Sequence, residues 1–144
     1  MIGKYKISIR SKKFNIDFKV KRNITVIEGY SGTGKTTMYE IVEEYIKQGK
    51  RSPITVVSEL HLTTDVDTDK INNLLDTYTN VLLVVDDSDI LTDNIDKLKT
   101  ILNLGAYIII ITRDATMQLD FAVDEIYEMR SSGKFYRLEK LYKP

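Results

Sequence analysis

The chain has 144 residues, which suits one folded domain, and its 42% hydrophobic and 29% charged residues are ordinary for a globular protein. It contains no cysteine and one histidine, His61, which excludes a disulfide framework and a thiolate zinc site. No stretch resembles a signal peptide or reaches the roughly 20 apolar residues of a membrane span, so we expect a cytoplasmic protein without a membrane segment.

Charge is distributed unevenly along the chain, although the formal net charge is zero. Between residues 4 and 22, eight Lys or Arg stand against Asp17 alone, and the carboxyl-terminal segment is also basic. Residues 59–96 instead carry ten acidic residues and one basic residue. The sequence therefore predicts a dipolar molecule.

Two segments near the amino terminus alternate apolar and polar residues, which predicts two half-buried strands that form a hairpin. The apolar members are Tyr5, Ile7 and Ile9 in the first segment and Phe14, Ile16, Phe18 and Val20 in the second. Residues 24–27 predict a short strand that runs into a glycine-rich segment. Apolar residues at helical spacing then predict a helix that ends near Gly49; they are Met38, Ile41, Val42, Tyr45 and Ile46.

The middle of the chain predicts a second strand at residues 54–57, where β-branched residues follow Pro53. Residues 60–69 are acidic and predict a loop, and a short helix follows with Ile71, Leu74 and Leu75. Residues 81–85 are apolar without alternation, which is typical of a parallel strand that is covered on both faces.

The last third of the chain predicts a helix capped by Thr92 and ending near Gly105, then another continuous apolar strand at residues 107–111. The apolar residues of this helix are Ile95, Leu98, Ile101 and Leu102. A short helix to about Phe121 is expected next. The remaining expected elements are strands at residues 125–129 and 135–141 around a turn at residues 131–134.

Alternating strands and helices predict the fold class α/β, with a three-layer, mostly parallel sheet and antiparallel hairpins at both ends of the chain. We expect one domain over residues 1–144. Residues 1–22 would form the basic amino-terminal hairpin, residues 23–124 the core and residues 125–144 the carboxyl-terminal hairpin.

The glycine-rich segment fits the eight-position phosphate-binding loop (P-loop) pattern at every specified site, between a predicted strand and a predicted helix. Its residues are Gly29, Tyr30, Ser31, Gly32, Thr33, Gly34, Lys35 and Thr36, and Thr37 follows. Glycines let the backbone approach phosphate oxygens, amides and the helix amino terminus donate hydrogen bonds, and Lys35 adds positive charge. With Thr36 as a Mg²⁺ ligand, the segment predicts a site for Mg-ATP or Mg-GTP.

Asp86 ends the apolar strand at residues 81–85, where an acidic residue holds Mg²⁺ through water in sites of this kind. Asp87 follows directly, and its carboxylate is the candidate that orients or deprotonates an attacking water. The alternative role for Asp87 and Asp89 is to cap the following turn.

The element order, with a further strand at residues 54–57 between the P-loop strand and the Asp86 strand, resembles the additional-strand catalytic-glutamate division of P-loop NTPases. That division includes AAA+, RecA-like and ABC-type ATPases, and the resemblance covers residues 24–129. It implies that a polar residue after the strand at residues 107–111 senses the γ-phosphate. Thr112 and Arg113 stand there. Arg113 is the candidate sensor, and a surface salt bridge is its alternative role.

The carboxyl-terminal segment also resembles the end of ABC-type ATPase domains, with Arg113 where they carry a switch histidine. Gln48 and Gln118 are the only glutamines, so none follows residues 54–57, and residues 70–80 hold no serine-glycine-glycine signature. We therefore expect a minimal ATPase core, suited to a small phage or mobile-element protein, rather than a standard ABC sandwich dimer.

These features predict hydrolysis of a Mg-bound nucleoside triphosphate that is slow alone and coupled to a protein partner, a nucleic acid or a second copy of the chain. Two alternatives stay open. One is a nucleotide-dependent switch with little or no hydrolysis. The other is a small-molecule kinase, which the absence of a clustered, arginine-rich lid disfavours.

The basic hairpins offer a possible nucleic-acid surface, because aromatic residues lie among their Lys and Arg residues; these are Tyr5, Phe14, Tyr136 and Tyr142. Alternation places these aromatics inward, and edge strands commonly carry Lys to block aggregation. Solvated strand faces are therefore the favoured interpretation. We expect His61 to be exposed in its acidic loop and assign it no function.

Overall fold

The computed structural model describes residues 4–21, 23–28, 35–86, 95–112 and 125–141. The described strands are β1 Tyr5–Arg10, β2 Asn15–Val20, β3 Ile24–Glu28, β4 Thr55–Ser58, β5 His61–Thr63, β6 Val81–Asp86, β7 Tyr107–Thr112, β8 Glu125–Ser132 and β9 Phe135–Lys140. The described helices are α1 Lys35–Gln48, α2 Thr68–Thr77 and α3 Ile95–Asn103, with a 3-10 turn at Gly49–Arg51.

All nine described strands belong to one mixed sheet with the order β4-β1-β2-β9-β8-β3-β7-β6-β5. Neighbours from β8 to β5 are parallel to one another. The other part is mainly antiparallel, because β1 is antiparallel to both β2 and β4, and β9 is antiparallel to β8. A short parallel pairing of Asn15 with Phe135 and Ile16 with Tyr136 joins β2 to β9.

The expected fold class, a three-layer α/β structure with a mostly parallel sheet and attached hairpins, is wrong. Strands dominate the described chain, and both hairpins are integral parts of the one mixed sheet rather than attachments to a parallel core. Local periodicity identified most of the strands and the two hairpin pairings, but not the partners that are distant in the sequence. The pairing of β2 with β9 joins residues that are about 120 positions apart, and no local pattern encodes such a contact.

The sheet is strongly curled, because its two edge strands are consecutive in the chain. Only Glu59 and Leu60 separate β4 from β5, although these strands stand at opposite ends of the sheet order. Three Cα-to-Cα steps span at most about 11 Å, so the two edges must approach one another. The concave face of the sheet therefore encloses one side of the core.

The hydrophobic core consists of two clusters on opposite faces of the sheet. The first combines Met38 and Val42 of α1 with inward residues of both halves of the sheet, including Ile9, Ile16 and Ile109. The second combines α2 and α3 with the other face of the parallel strands; its members include Ile71, Leu98, Ile101, Val26, Ile108 and Ile110. Strands β1, β2, β4 and β9 contribute to the first cluster alone.

Two predictions for the middle of the chain are wrong. The strand expected at residues 54–57 exists as β4, but it pairs antiparallel with β1 instead of lying in the parallel part. The parallel neighbour of β6 is β5, which lies inside residues 60–69, the segment predicted to be a loop. Three residues are too few for a period of two to be recognised, which explains the missed strand.

The other helix and strand predictions that fall on described residues are confirmed. Helix α2 begins after Asp67, whose carboxylate accepts a hydrogen bond of 3.1 Å from the Lys70 amide. Gly105 follows α3 with a φ of +99°, a conformation that favours glycine. Thr92 and the expected helix to Phe121 lie outside the described residues. No helix in the described ranges is long and apolar enough to cross a membrane.

Candidate functional site

The carboxyl ends of β3, β7 and β6 lie along one side of the sheet, because these strands are parallel. We call this side the carboxyl edge, which is distinct from the edge strands β4 and β5. Glu28 ends β3 and lies beside Thr112, the last residue of β7. Asp86 ends β6 and lies beside Ile111, which also pairs with Ile27 on the other side of β7. Asp86 is therefore level with the end of β3 and two strand spacings away, roughly 10 Å.

The side chain of Asp86 belongs to the sheet face that α1 covers. Leu82 and Val84 of the same strand contact the cluster that contains Met38 and Val42 of α1. Because alternate residues of a strand share a face, Asp86 follows Leu82 and Val84 on this face. Its side chain is partly buried. The fold thus brings a carboxylate to the edge and face from which α1 starts.

The P-loop pattern spans the connection between β3 and α1. Strand β3 ends at Glu28, helix α1 begins at Lys35, and the six residues between them are Gly29, Tyr30, Ser31, Gly32, Thr33 and Gly34. These six residues lie outside the described part of the chain. Lys35, Thr36 and Thr37 form the first turn of α1, and their side chains are also outside the description.

The two other predicted catalytic residues follow directly on described strands. Asp87 comes one residue after β6, and Arg113 comes one residue after β7. Both lie outside the described residues, so their roles remain predictions. The ends of β6 and β7 are adjacent in the sheet.

Glu28 and Thr112 are two further polar residues at this edge. The sequence patterns named Thr112 only beside Arg113 and assigned no role to Glu28. Thr112 is 2% exposed, and alternation with Ile108 and Ile110 directs it to the face that α2 and α3 cover. Glu28, beside Thr112, shares that face with Val26. Its position directly before the first P-loop glycine was the available signal for Glu28.

A cavity of about 760 Å³ lies at the opposite edge, near the amino ends of β5 and β6 and the carboxyl ends of α1 and α2. Its lining includes His61 and Tyr78, whose rings stack at a centroid distance of 3.8 Å and an angle of 8°. His61 was expected to be an exposed loop residue, and that prediction is wrong. It begins β5 and is half-buried, and burial lowers the pKa of its imidazole below 6.5.

Neither a scan against protein-family models nor a search of curated proteins finds a match for this chain. The function must therefore be inferred from the sequence motif and the geometry around it.

Proposed function

We propose that the protein binds Mg-ATP at residues 29–37 and hydrolyses it slowly. In this proposal the loop amides and Lys35 neutralise the β- and γ-phosphates. Thr36 would supply an oxygen ligand to Mg²⁺ and Asp86 would hold the ion through water, and the bound ion would neutralise charge on the phosphate oxygens.

The observation that carries the proposal is the setting of the glycine-rich segment. A buried parallel strand precedes it and a 14-residue helix follows it, which is the context that makes the bare pattern specific. Asp86 supports the same site independently, because it ends a second parallel strand on the face covered by that helix.

The strand order adds support for a P-loop NTPase of the additional-strand division. Strand β7 lies between β3, which leads into the glycines, and β6, which ends in Asp86. The additional strand for which that division is named would therefore be β7, and not residues 54–57, which form β4 at the far edge of the sheet. Only the strands around β3 follow this order, and the nine-stranded sheet as a whole is mixed.

In the proposed reaction, Asp87 accepts a proton from a water molecule as the water oxygen forms a bond to the γ-phosphorus. The bond from that phosphorus to the β–γ bridging oxygen breaks, which yields ADP and inorganic phosphate. Arg113 would stabilise the negative charge that spreads over the γ-phosphoryl oxygens. Both residues directly follow strands that end at the edge where the glycine-rich segment begins.

The binding step is tested by titrating a fluorescent ATP analogue, and separately GTP as a competitor, in the presence of Mg²⁺. Lys35→Ala should weaken binding about 10- to 100-fold, because hydrogen bonds to charged groups contribute about 1.5–3 kcal/mol each. Lys47→Ala is the matched control, since Lys47 is exposed in the last turn of the same helix. Failure of the wild-type protein to bind either nucleotide would refute the proposal.

The hydrolysis step is tested by phosphate release from wild type and Asp87→Asn. The variant should retain nucleotide affinity and accumulate bound ATP while release stops. Asp96→Asn, an exposed position in α3, is the matched control and should release phosphate at the wild-type rate. Binding without release by the wild-type protein would favour the nucleotide-dependent switch.

A further inference from the structure

Lysines line the convex face of β1 and β2, where no helix of the described chain covers them. Alternation directs Lys6 and Lys19 away from the core, and Lys4 and Lys21 extend this row beyond the strand ends. The residues of α2 and α3 pack on the parallel strands instead. Both lysine-bearing strands are internal in the sheet order. Protection of a sheet edge therefore does not account for these lysines.

The lysines of this face oppose one another across the strands. Lys6 and Lys19 are direct cross-strand partners, an arrangement in which like charges destabilise a sheet. Within the described chain, no salt bridge joins either of them to a carboxylate. An anion bound between the two ammonium groups would relieve this repulsion.

Most neighbouring carboxylates of the face are paired with arginines. The exception is Glu59, which accepts a 2.7 Å hydrogen bond from the Lys6 amide and is outnumbered by Lys4, Lys6 and Lys19 in the same hollow. Asp17 accepts a 2.7 Å hydrogen bond from the Arg10 guanidinium and another from the Ser8 hydroxyl. Glu139 forms salt bridges with Arg137 at 2.9 Å and with Arg130 at 3.5 Å. The lysines therefore set the sign of the potential on this surface.

An exposed aromatic ring lies beside Lys134 at the end of the same face, next to the turn that carries two further lysines. Asn15 donates to the Lys134 carbonyl oxygen from its backbone amide, at 2.9 Å, and from Nδ2, at 3.2 Å. These bonds hold the β1–β2 turn, with exposed Lys12 and Lys13, against the β8–β9 turn. Phe135 is 59% exposed there, with Nζ of Lys134 5.6 Å from its ring centroid.

We propose that the convex face of β1, β2 and β9 binds single-stranded nucleic acid. The lysines contact the phosphodiester backbone, and Phe135 provides a ring on which a base stacks. From Lys6 to Lys12 the chain advances by six residues, about 20 Å, which accommodates roughly four nucleotides. This surface does not involve the glycine-rich segment, so the proposal stands without the nucleotide proposal.

A single strand fits these features better than a lipid surface does. The large hydrophobic residues exposed on this face of the described chain are Phe135 and Val57, too few for an apolar patch that inserts into a bilayer. One exposed ring within a row of cations is instead the combination that recognises stacked bases and phosphates together. Other aromatics of the described hairpin residues, which are Tyr5, Phe14, Phe18 and Tyr136, pack against the core.

The test is fluorescence anisotropy with a fluorescein-labelled dT12 oligonucleotide at several salt concentrations, without added nucleoside triphosphate. Lys6→Ala combined with Lys19→Ala should weaken binding about 10-fold and lower the slope of log K against log salt by about 1.4. The matched control combines Lys47→Ala with Lys50→Ala, which removes the same charge from the exposed end of α1. Equal losses in both double variants would overturn the proposal.

Substitutions at Phe135 test base stacking separately from charge, because they leave the charge of the surface unchanged. Phe135→Leu should weaken dT12 binding about 10-fold with an unchanged salt slope, and Phe135→Tyr should restore it. No loss in Phe135→Leu would overturn the stacking role. Binding to a duplex of the same length as tight as to dT12 would overturn the single-strand assignment. Binding to phosphatidylcholine–phosphatidylserine vesicles (7:3) without binding to dT12 would overturn the whole proposal.

Discussion

The two halves of the sheet are covered differently. Strands β3, β7 and β6 carry helix α1 on one face and helices α2 and α3 on the other, so that every residue from Tyr107 to Thr112 is buried. Strands β1, β2 and β4 face the core on one side and are exposed on the other. The proposed nucleotide site lies at an edge of the first half, and the proposed nucleic-acid surface is the open face of the second.

The hydropathy pattern of a strand reports this coverage. The apolar run of β7 lacks alternation because both of its faces are buried, whereas β1 alternates because one of its faces meets water. The pattern does not report which strand lies alongside, because the same alternation suits a hairpin partner and a distant partner equally. Coverage is a local property, and pairing is not.

The largest effects should come from core truncations that compare the two halves. Ile108→Ala and Ile109→Ala should each lower the free energy of unfolding by about 2–5 kcal/mol, because both side chains are fully buried on opposite faces. In β1, Ile7→Ala should lower the free energy of unfolding by a similar amount. Lys6→Ala should change that free energy by less than about 0.5 kcal/mol. Equilibrium urea unfolding measures all four. A cost for Ile108→Ala as small as for Lys6→Ala would contradict the double coverage of β7.

A smaller effect is expected at the join between the halves, where β2 meets β9. Besides its bonds to Lys134, Asn15 accepts a 3.3 Å hydrogen bond from the Ser11 amide through Oδ1, and its side chain is buried. Asn15→Ala removes two side-chain hydrogen bonds and should cost about 1–2 kcal/mol in urea unfolding. Asn72→Ala on the exposed side of α2 is the control and should be nearly neutral. Equal losses of unfolding free energy in Asn15→Ala and Asn72→Ala would mean that the Asn15 side-chain hydrogen bonds add no stability.

His61 begins β5, directly after the two residues that connect it to β4. We expect this residue to give the free energy of unfolding a modest pH dependence. Because burial lowers its pKa in the folded state, the unfolded chain binds the proton more readily, and the stabilisation of the neutral form is lost as pH falls below 6.5. Between pH 7.5 and 5.0 the free energy of unfolding of the wild type should fall by up to about 1 kcal/mol more than that of His61→Gln. The difference stays small because the ring is only half-buried. Parallel urea curves for both proteins at the two pH values give this difference. Identical pH dependence would contradict the burial of His61.

The smallest effect on stability should come from the open face of the second half. Hydrogen bonds from Arg10 and Ser8 lower the pKa of Asp17 below 3.8, so this stabilisation is present above pH 3.8 and is lost as pH falls through the folded-state pKa. Asp17→Asn should cost about 0.5 kcal/mol or less at pH 7, because both partners of the pair are exposed. Thermal unfolding at pH 7 measures this cost.

The same substitution should tighten binding to dT12, because it releases Arg10 and removes a negative charge from the lysine face. The comparison with Asp69→Asn, an exposed carboxylate on α2, isolates the local effect. Weaker binding by Asp17→Asn than by Asp69→Asn would contradict the charge argument for this face.

Sequence patterns predicted most of the described elements and the position of Asp86 at a strand end, but they misplaced one strand and missed another. The β-branched run at residues 54–57 predicted a strand, which exists as β4, but this strand pairs antiparallel with β1 at one edge of the sheet. Strand β5 was missed because its three residues lie in an acidic segment with no readable period. Edge protection was one reason to expect solvated lysines on β1 and β2, and the sheet order removes that reason because both strands are internal.

The sequence by itself determined the features that short stretches encode, which are the P-loop pattern, the buried runs of β6 and β7, and the alternation of the hairpins. Each depends on residues a few positions apart, where backbone geometry and side-chain chemistry act directly. Only the tertiary structure decided that β2 pairs with β9, that the edges approach through two residues, and that Lys134 and Phe135 near the end of the chain lie beside Asn15 near its start. These contacts arise because one sheet must bury apolar residues from distant segments together, and no local period records that requirement.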